Sequence, residues 1–292
     1  MDIINIINDF FGIKSEVSAP IIITVLVFIT GGICNFIYNL IKSRNEKKEI
    51  RELFRTMLEK IILDCEVKEK QTARFFPTLN SDHKEHWTLS FTRINYLYTL
   101  FELDFNRVFQ AFETHYQYQC NKKLKKKAFH TIYSNLDNLK YFETFIKPDI
   151  EKFIADFNSH HDKYKDALSS FNEMIDEIRF NLNGVAVAVG TPIHNYIVEI
   201  ETEWSKWLLL DPIERVHFKI TYEMLVEPTL VLNRKLFVLP FILDMNKHLM
   251  ECKNQYLEME NVLKRSNLTF KNHNFNYRAS RRILKKSLKL IS

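Results

Sequence analysis

The chain has 292 residues, is 46% hydrophobic and 26% charged, and carries a net charge of +5. It holds only five glycines and four cysteines, which argues against a sheet-rich domain, whose tight turns use glycine at positive φ, and against a disulfide framework. The same shortage of glycine argues against the backbone loops that cradle nucleotide phosphates.

The first 18 residues contain Asp2, Asp9, Glu16 and only Lys14, and residues 1–18 are expected to form a short extracytoplasmic tail. Pro20 to Ile41 then gives 22 residues without a charge, long enough to cross about 30 Å of hydrocarbon as a helix. A cleaved signal peptide would show a basic n-region and an A-x-A-like site, and neither is present. A transmembrane helix over 19–41 is therefore predicted. Lys42, Arg44, Lys47, Lys48 and Arg51 follow it, against Lys14 alone on the other flank. The positive-inside rule then makes the chain a single-pass protein of the inner (plasma) membrane, with its N-terminus outside and its large domain cytoplasmic.

Inside the span, Thr24, Phe28, Gly31, Asn35 and Tyr38 fall at alternating four- and three-residue steps, with Asn39 beside them. Small and amide side chains on one face let two helices approach and hydrogen-bond, so Gly31, Asn35 and Asn39 are the predicted self-association residues. The alternative is that both asparagines are simply hydrated near the inner headgroups.

Beyond the span the pattern is helical throughout. Ile50, Leu53, Phe54, Met57, Leu58, Ile61, Ile62 and Cys65 recur at three- and four-residue steps, an amphipathic stripe that no glycine or proline separates from the span. A break is expected at residues 76–82. A second helix is expected over about 88–118 and a third from Lys122 to Ile146, stopping before Pro148. A fourth runs from Pro148 to about Leu182, bending near residues 158–161 and ending at Asn183-Gly184. Val185 to Val189 has strand composition without a partner strand, and reads as a linker. Thr191-Pro192 and Asp211-Pro212 are N-cap and first-turn signals for helices to about Leu209 and Val226. The last long helix is expected over Thr229–Lys264, kinked at Pro240. The fold class is all-α: one membrane helix, then a cytoplasmic bundle of about seven or eight helices over 42–275, with 184–190 as its internal boundary if it has one.

No catalytic pattern emerges, and no catalytic, metal or cofactor residue is assigned. His83-Lys84-Glu85-His86 is half a metal site without a third ligand, and reads as a solvated loop. His160-His161-Asp162 invites comparison with helical metal-dependent phosphohydrolases, but the flanking Lys163, Lys165 and Asp166 describe an exposed helix face. Arg107 to His115 and Arg265 to His273 lack the spacing of helical RNase sites. Cys65, Cys120 and Cys252 sit in helical surroundings, where a packed thiol is the ordinary outcome.

Two basic stretches remain. Residues 276–292 hold Arg278, Arg281, Arg282, Lys285, Lys286 and Lys289 with no acidic residue, interleaved with Ile283, Leu284, Leu288 and Ile291. Such a basic amphipathic helix can lie on an anionic inner leaflet, bind nucleic-acid phosphates, or close the bundle with its apolar side inward. Lys122-Lys123-Leu124-Lys125-Lys126-Lys127 puts five cations where a helix starts, against its dipole. That points weakly to an acidic partner: lipid, nucleic acid or protein.

This layout broadly resembles membrane-associated bacterial proteins of stress and phage-defence systems, including abortive-infection effectors, a likeness of layout and composition. The expected function is that of an anchored scaffold or effector acting through protein and membrane contacts as a homo-oligomer. The partners are the lipid bilayer, its anionic inner leaflet, further copies of the chain and a second protein. The alternatives are a membrane-tethered helical metal-dependent nuclease or phosphohydrolase, or a membrane-tethered nucleic-acid binder.

Overall fold

The computed structural model describes residues 10, 15–79, 93–117, 119–180, 187–215, 217–235 and 241–291. Among the described residues every regular element is helical and no strand occurs, so the chain is all-α. In order these are α1 (Ser15–Leu79), α2 (Asn95–Glu102), α3 (Phe105–Tyr116), α4 (Lys122–Phe180), α5 (Pro192–Leu208), α6 (Pro212–Arg215) and α7 (Phe218–Thr221). A π-helical turn (Tyr222–Val226) leads into α8 (Glu227–Lys235), and α9 (Ile242–Ile291) closes the chain.

Three helices are far longer than the rest, at 65 residues for α1, 59 for α4 and 50 for α9. Each carries one continuous seam. On α1 the buried positions are 54, 58, 61, 65, 68, 72 and 75, and on α9 they include 242, 245, 249, 252, 256, 259, 263, 270, 277, 284 and 291. Alternating steps of three and four average 3.5 residues, the spacing that keeps one seam facing its neighbours over many turns. Burying each large apolar side chain of such a seam contributes about 1.5–3 kcal/mol.

That seam explains where the helices depart from the expected boundaries. α4 continues as one helix through Pro148 and through residues 158–161. Pro148 and Thr144 are both exposed, so the Thr144 carbonyl that lacks a donor from Pro148 faces water. Buried Ile146 and Phe153 hold the seam on either side. The helix expected over 88–118 is instead two, with residues 88–92 outside the described set. The Asp104 carboxylate accepts the Asn106 N–H at 2.9 Å and restarts the chain as α3. The helix expected from Pro212 to Val226 is broken into α6, α7 and the π turn. Pro228 follows that turn, has no N–H, and its ring crowds the carbonyl four residues back, which a wider turn relieves. The expected stop at Asn183-Gly184 and kink at Pro240 lie outside the described residues. The helix expected to end at Lys264 does not end there: α9 continues to Ile291, so the basic stretch forms its last turns.

At α5 the expected start is observed. Thr191 accepts the His194 N–H at 3.2 Å, Pro192 occupies the first turn, and the preceding Gly190 has φ of 84°. Thr191→Ala should therefore lower stability by about 1 kcal/mol in chemical unfolding, whereas Thr191→Ser should be nearly neutral.

The chain divides into two compact units: Met1–Lys60, Tyr96–His130 and Leu288–Ser292 form the first, and Ile61–Asn95 with Thr131–Ser287 form the second. Residues 187–190, the described part of the expected internal boundary, fall within the second. The first unit is organised by Phe54, whose ring lies 5.4 Å from Phe112 and 5.7 Å from Phe129. The second contains an aromatic core around Phe75, Phe153 and Phe270, and a stacked pair, Tyr222 on Tyr256, at 3.9 Å. Buried within it, the Tyr196 hydroxyl donates to Asn233 (2.6 Å), whose amide donates to Asn246 (2.8 Å).

Candidate membrane-contact and interaction surfaces

Among the described residues one helix is long and apolar enough to cross a membrane: the apolar part of α1 has a mean hydropathy of 1.8 and is 0% buried. Phe28 and Phe36 are 83% and 66% exposed. A side chain at Gly31 would meet nothing within 4 Å. The polar groups in this segment bond within the helix. The Thr24 hydroxyl donates to the Pro20 carbonyl at 2.7 Å, Thr30 donates to the Leu26 carbonyl, and the Asn39 amide donates to the Asn35 side-chain oxygen at 3.3 Å. Internal bonding of this kind lowers the penalty of placing polar side chains in hydrocarbon. Among the described residues, the Asn35 amide donors and the Asn39 side-chain oxygen have no side-chain partner beyond this bond.

The six basic residues of the chain end separate into two groups. In the second unit Arg278 bonds Glu69 at 2.8 Å, and Arg281 lies 3.3 Å from Glu66 and 3.0 Å from Glu69. These two face α1 and are neutralised there. Arg282, Lys285, Lys286 and Lys289 are exposed. In the first unit Arg55 donates to the Ile291 carbonyl at 2.9 Å, capping the negative end of the helix dipole.

The first unit is strongly basic. Outside the apolar segment, residues 42–60, 96–130 and 288–292 hold fourteen Lys and Arg against seven Asp and Glu, whereas the second unit is balanced at 26 of each. Arg51 donates to the Ala111 carbonyl at 3.0 Å, Arg107 approaches Glu46 at 4.0 Å, and Lys125 lies 5.5 Å from the Tyr116 ring centroid. Burial, then Arg51, Arg55 and Lys125, hold the His115 imidazole below its ordinary pKa. The sequence signal for this surface was the lysine run at 122–127; its neighbours became apparent only when α3 was placed against α1.

Several of the residues considered for chemistry are taken up by packing. His160 bonds Gln255 at 2.7 Å, and buried His161 stacks on Phe157 at 5.9 Å. His273 bonds Asp149 at 2.7 Å beside an open cavity of about 220 Å³ lined by Asp149, Lys152, Asp156 and Arg265, where charges of both signs meet. His83 and His86 lie outside the described residues. Burial pushes the Cys65 and Cys252 thiols up to about 12, leaving them protonated and unreactive near neutral pH. Among the described residues no group of three or more His, Cys, Asp or Glu side chains is placed to hold a metal. No protein family, curated protein or solved structure matches the chain.

Proposed function

We propose that the chain is a single-pass, membrane-anchored helical scaffold or effector that acts by binding, with its N-terminus outside and its helical units in the cytoplasm. The observation that carries this reading is the apolar stretch of α1, which is exposed on every face while the same helix continues into packed protein. A helix apolar all round is stable where hydrocarbon or another protein covers it, and a bilayer covers every face at once. The basic flank at Lys42–Arg51 sets the orientation.

Gly31, Asn35 and Asn39 supply a face for self-association, and Arg282, Lys285, Lys286 and Lys289 supply a basic surface for an acidic partner. The specific form of this reading is a bacterial stress or phage-defence effector whose assembly perturbs the membrane. The test is light scattering on the full-length protein in mild detergent. A homo-oligomer is expected, and Asn35→Leu/Asn39→Leu should weaken its association about three- to thirtyfold, the range for one interhelical hydrogen bond. A monomer before substitution would sink self-association, and a stoichiometric nucleic acid in the preparation would favour the tethered-binder reading instead.

A further inference from the structure

We infer that the lysine-rich start of α4, with the adjoining part of α1, forms a collar that binds the anionic headgroups of the inner leaflet. This rests on the membrane reading above and names the surface of the first unit that meets the lipid.

Position carries the argument. Two consecutive residues of α3 hold the two helices together at one level: Thr114 accepts from Lys47 at 3.5 Å, and Glu113 pairs with Lys126. The run Lys122–Lys127 therefore starts beside Lys47. Lys47 is six residues past Ile41, the end of the uncharged run, or about 9 Å along the helix axis. That is about one Debye length at physiological ionic strength. The last turn of α9 is placed differently, because Arg55 binds the Ile291 carbonyl. Arg55 lies fourteen residues past Ile41, about 21 Å along the axis and more than two Debye lengths away. Within this unit the collar, and not the chain end, lies within electrostatic reach of the headgroups.

The chemistry of the collar suits phosphate-bearing headgroups. Lys122 and Lys123 are exposed, and among the described residues neither takes part in an ion pair. Between the lysines, Leu124 is 48% exposed, an apolar side chain open at the same surface. The positive end of the α4 dipole repels the lysines and adds to their pull on an anion. An anion there relieves both, and backbone N–H groups of the first turn are open to it. The fourteen-to-seven excess of cations in this unit extends the same field over its surface.

The experiment uses full-length protein reconstituted into phosphatidylcholine vesicles, with and without about 30% phosphatidylglycerol. Amine acylation is then read at each lysine by mass spectrometry, after flotation has separated vesicle-bound protein. Lys122 and Lys123 should react about tenfold more slowly in the anionic vesicles, recovering near 0.5 M salt as the Debye length contracts to about 4 Å. Lys163, exposed in the second unit, should react equally in both. Protein that floats but shows equal rates at Lys122 and Lys123 would overturn the collar and leave the anchor standing. Protection that appears with single-stranded RNA and neutral vesicles, but not with anionic ones, would overturn it in favour of a nucleic-acid surface. Failure to float with either vesicle would overturn the anchor and the collar together.

Discussion

Replacing Glu143 by leucine should destabilise the second unit by about 3–5 kcal/mol, because it strands a buried ammonium. Lys68 and Glu143 have side chains only 3% and 5% exposed, and the Lys68 amine donates to both carboxylate oxygens at 2.7 and 2.8 Å. The Tyr277 hydroxyl donates to the same carboxylate, and the Lys68 amine lies 5.3 Å from the Tyr277 ring centroid. Burial, then the charge of Glu143, raises the Tyr277 pKa, so the phenol stays a donor at any physiological pH. Thermal unfolding of the full-length protein in detergent should show a drop of about 10 °C for Glu143→Leu. The double replacement Lys68→Met/Glu143→Leu should recover most of it, since an apolar pair of similar volume avoids desolvating two charges. A single replacement that shifts the midpoint by less than about 2 °C would show that water reaches this pair. The larger role of the pair is in alignment. A seam repeating every 3.5 residues offers almost equivalent packings one heptad apart, and a unique polar contact among apolar layers selects one of them. The double variant should therefore be stable yet show broader amide-exchange behaviour than its parent.

What could be read in advance followed from short-range chemistry. The all-α class rested on two glycines in the 251 residues after the apolar run (Gly184 and Gly190) and on the three- and four-residue recurrence of apolar side chains. The Thr191-Pro192 start is self-contained, because the hydroxyl and the N–H that it caps lie three residues apart. Pro148 was misread because proline disfavours a helix only where its missing hydrogen bond goes unhydrated. That depends on which face is turned outward, and Pro148 faces water. At the chain end the deciding contacts are distant in sequence. Arg278 and Arg281 belong to a basic run in sequence, yet Glu66 and Glu69, more than two hundred residues earlier, neutralise them. Charge in a linear window therefore did not show which cations of residues 276–292 meet carboxylates and which stay exposed. Nor did it show that the lysine run at 122–127 lies near the α1 flank and α3. The spacing of Gly31, Asn35 and Asn39 was legible as a pattern, whereas any partner helix for it would come from a second chain.

Gly31→Arg should release the protein from the membrane without unfolding its helical units. Gly31 sits midway along the uncharged run, and a side chain there meets no protein atom within 4 Å. A steric cause of any effect is thereby removed, leaving the transfer of a guanidinium into hydrocarbon, which costs about 2.5–3.5 kcal/mol at a helix centre. Insertion should fall roughly a hundredfold, read as the fraction retained in the pellet after alkaline carbonate extraction. Gly31→Leu, equally bulky and apolar, should be retained like the parent. Thiol labelling gives an independent reading of the same geometry. Cys34 and Cys120 are both exposed on the protein surface, but only Cys34 lies within the apolar run. In intact membranes Cys34 should resist a charged maleimide from either side, while Cys120 reacts only when the reagent reaches the cytoplasmic face. In detergent-free soluble protein both would react. If the parent protein is extracted by carbonate and labels at Cys34 as fast as at Cys120, the apolar stretch of α1 is covered by protein and not by lipid. The face at Gly31, Asn35 and Asn39 would then be the seam of a soluble assembly.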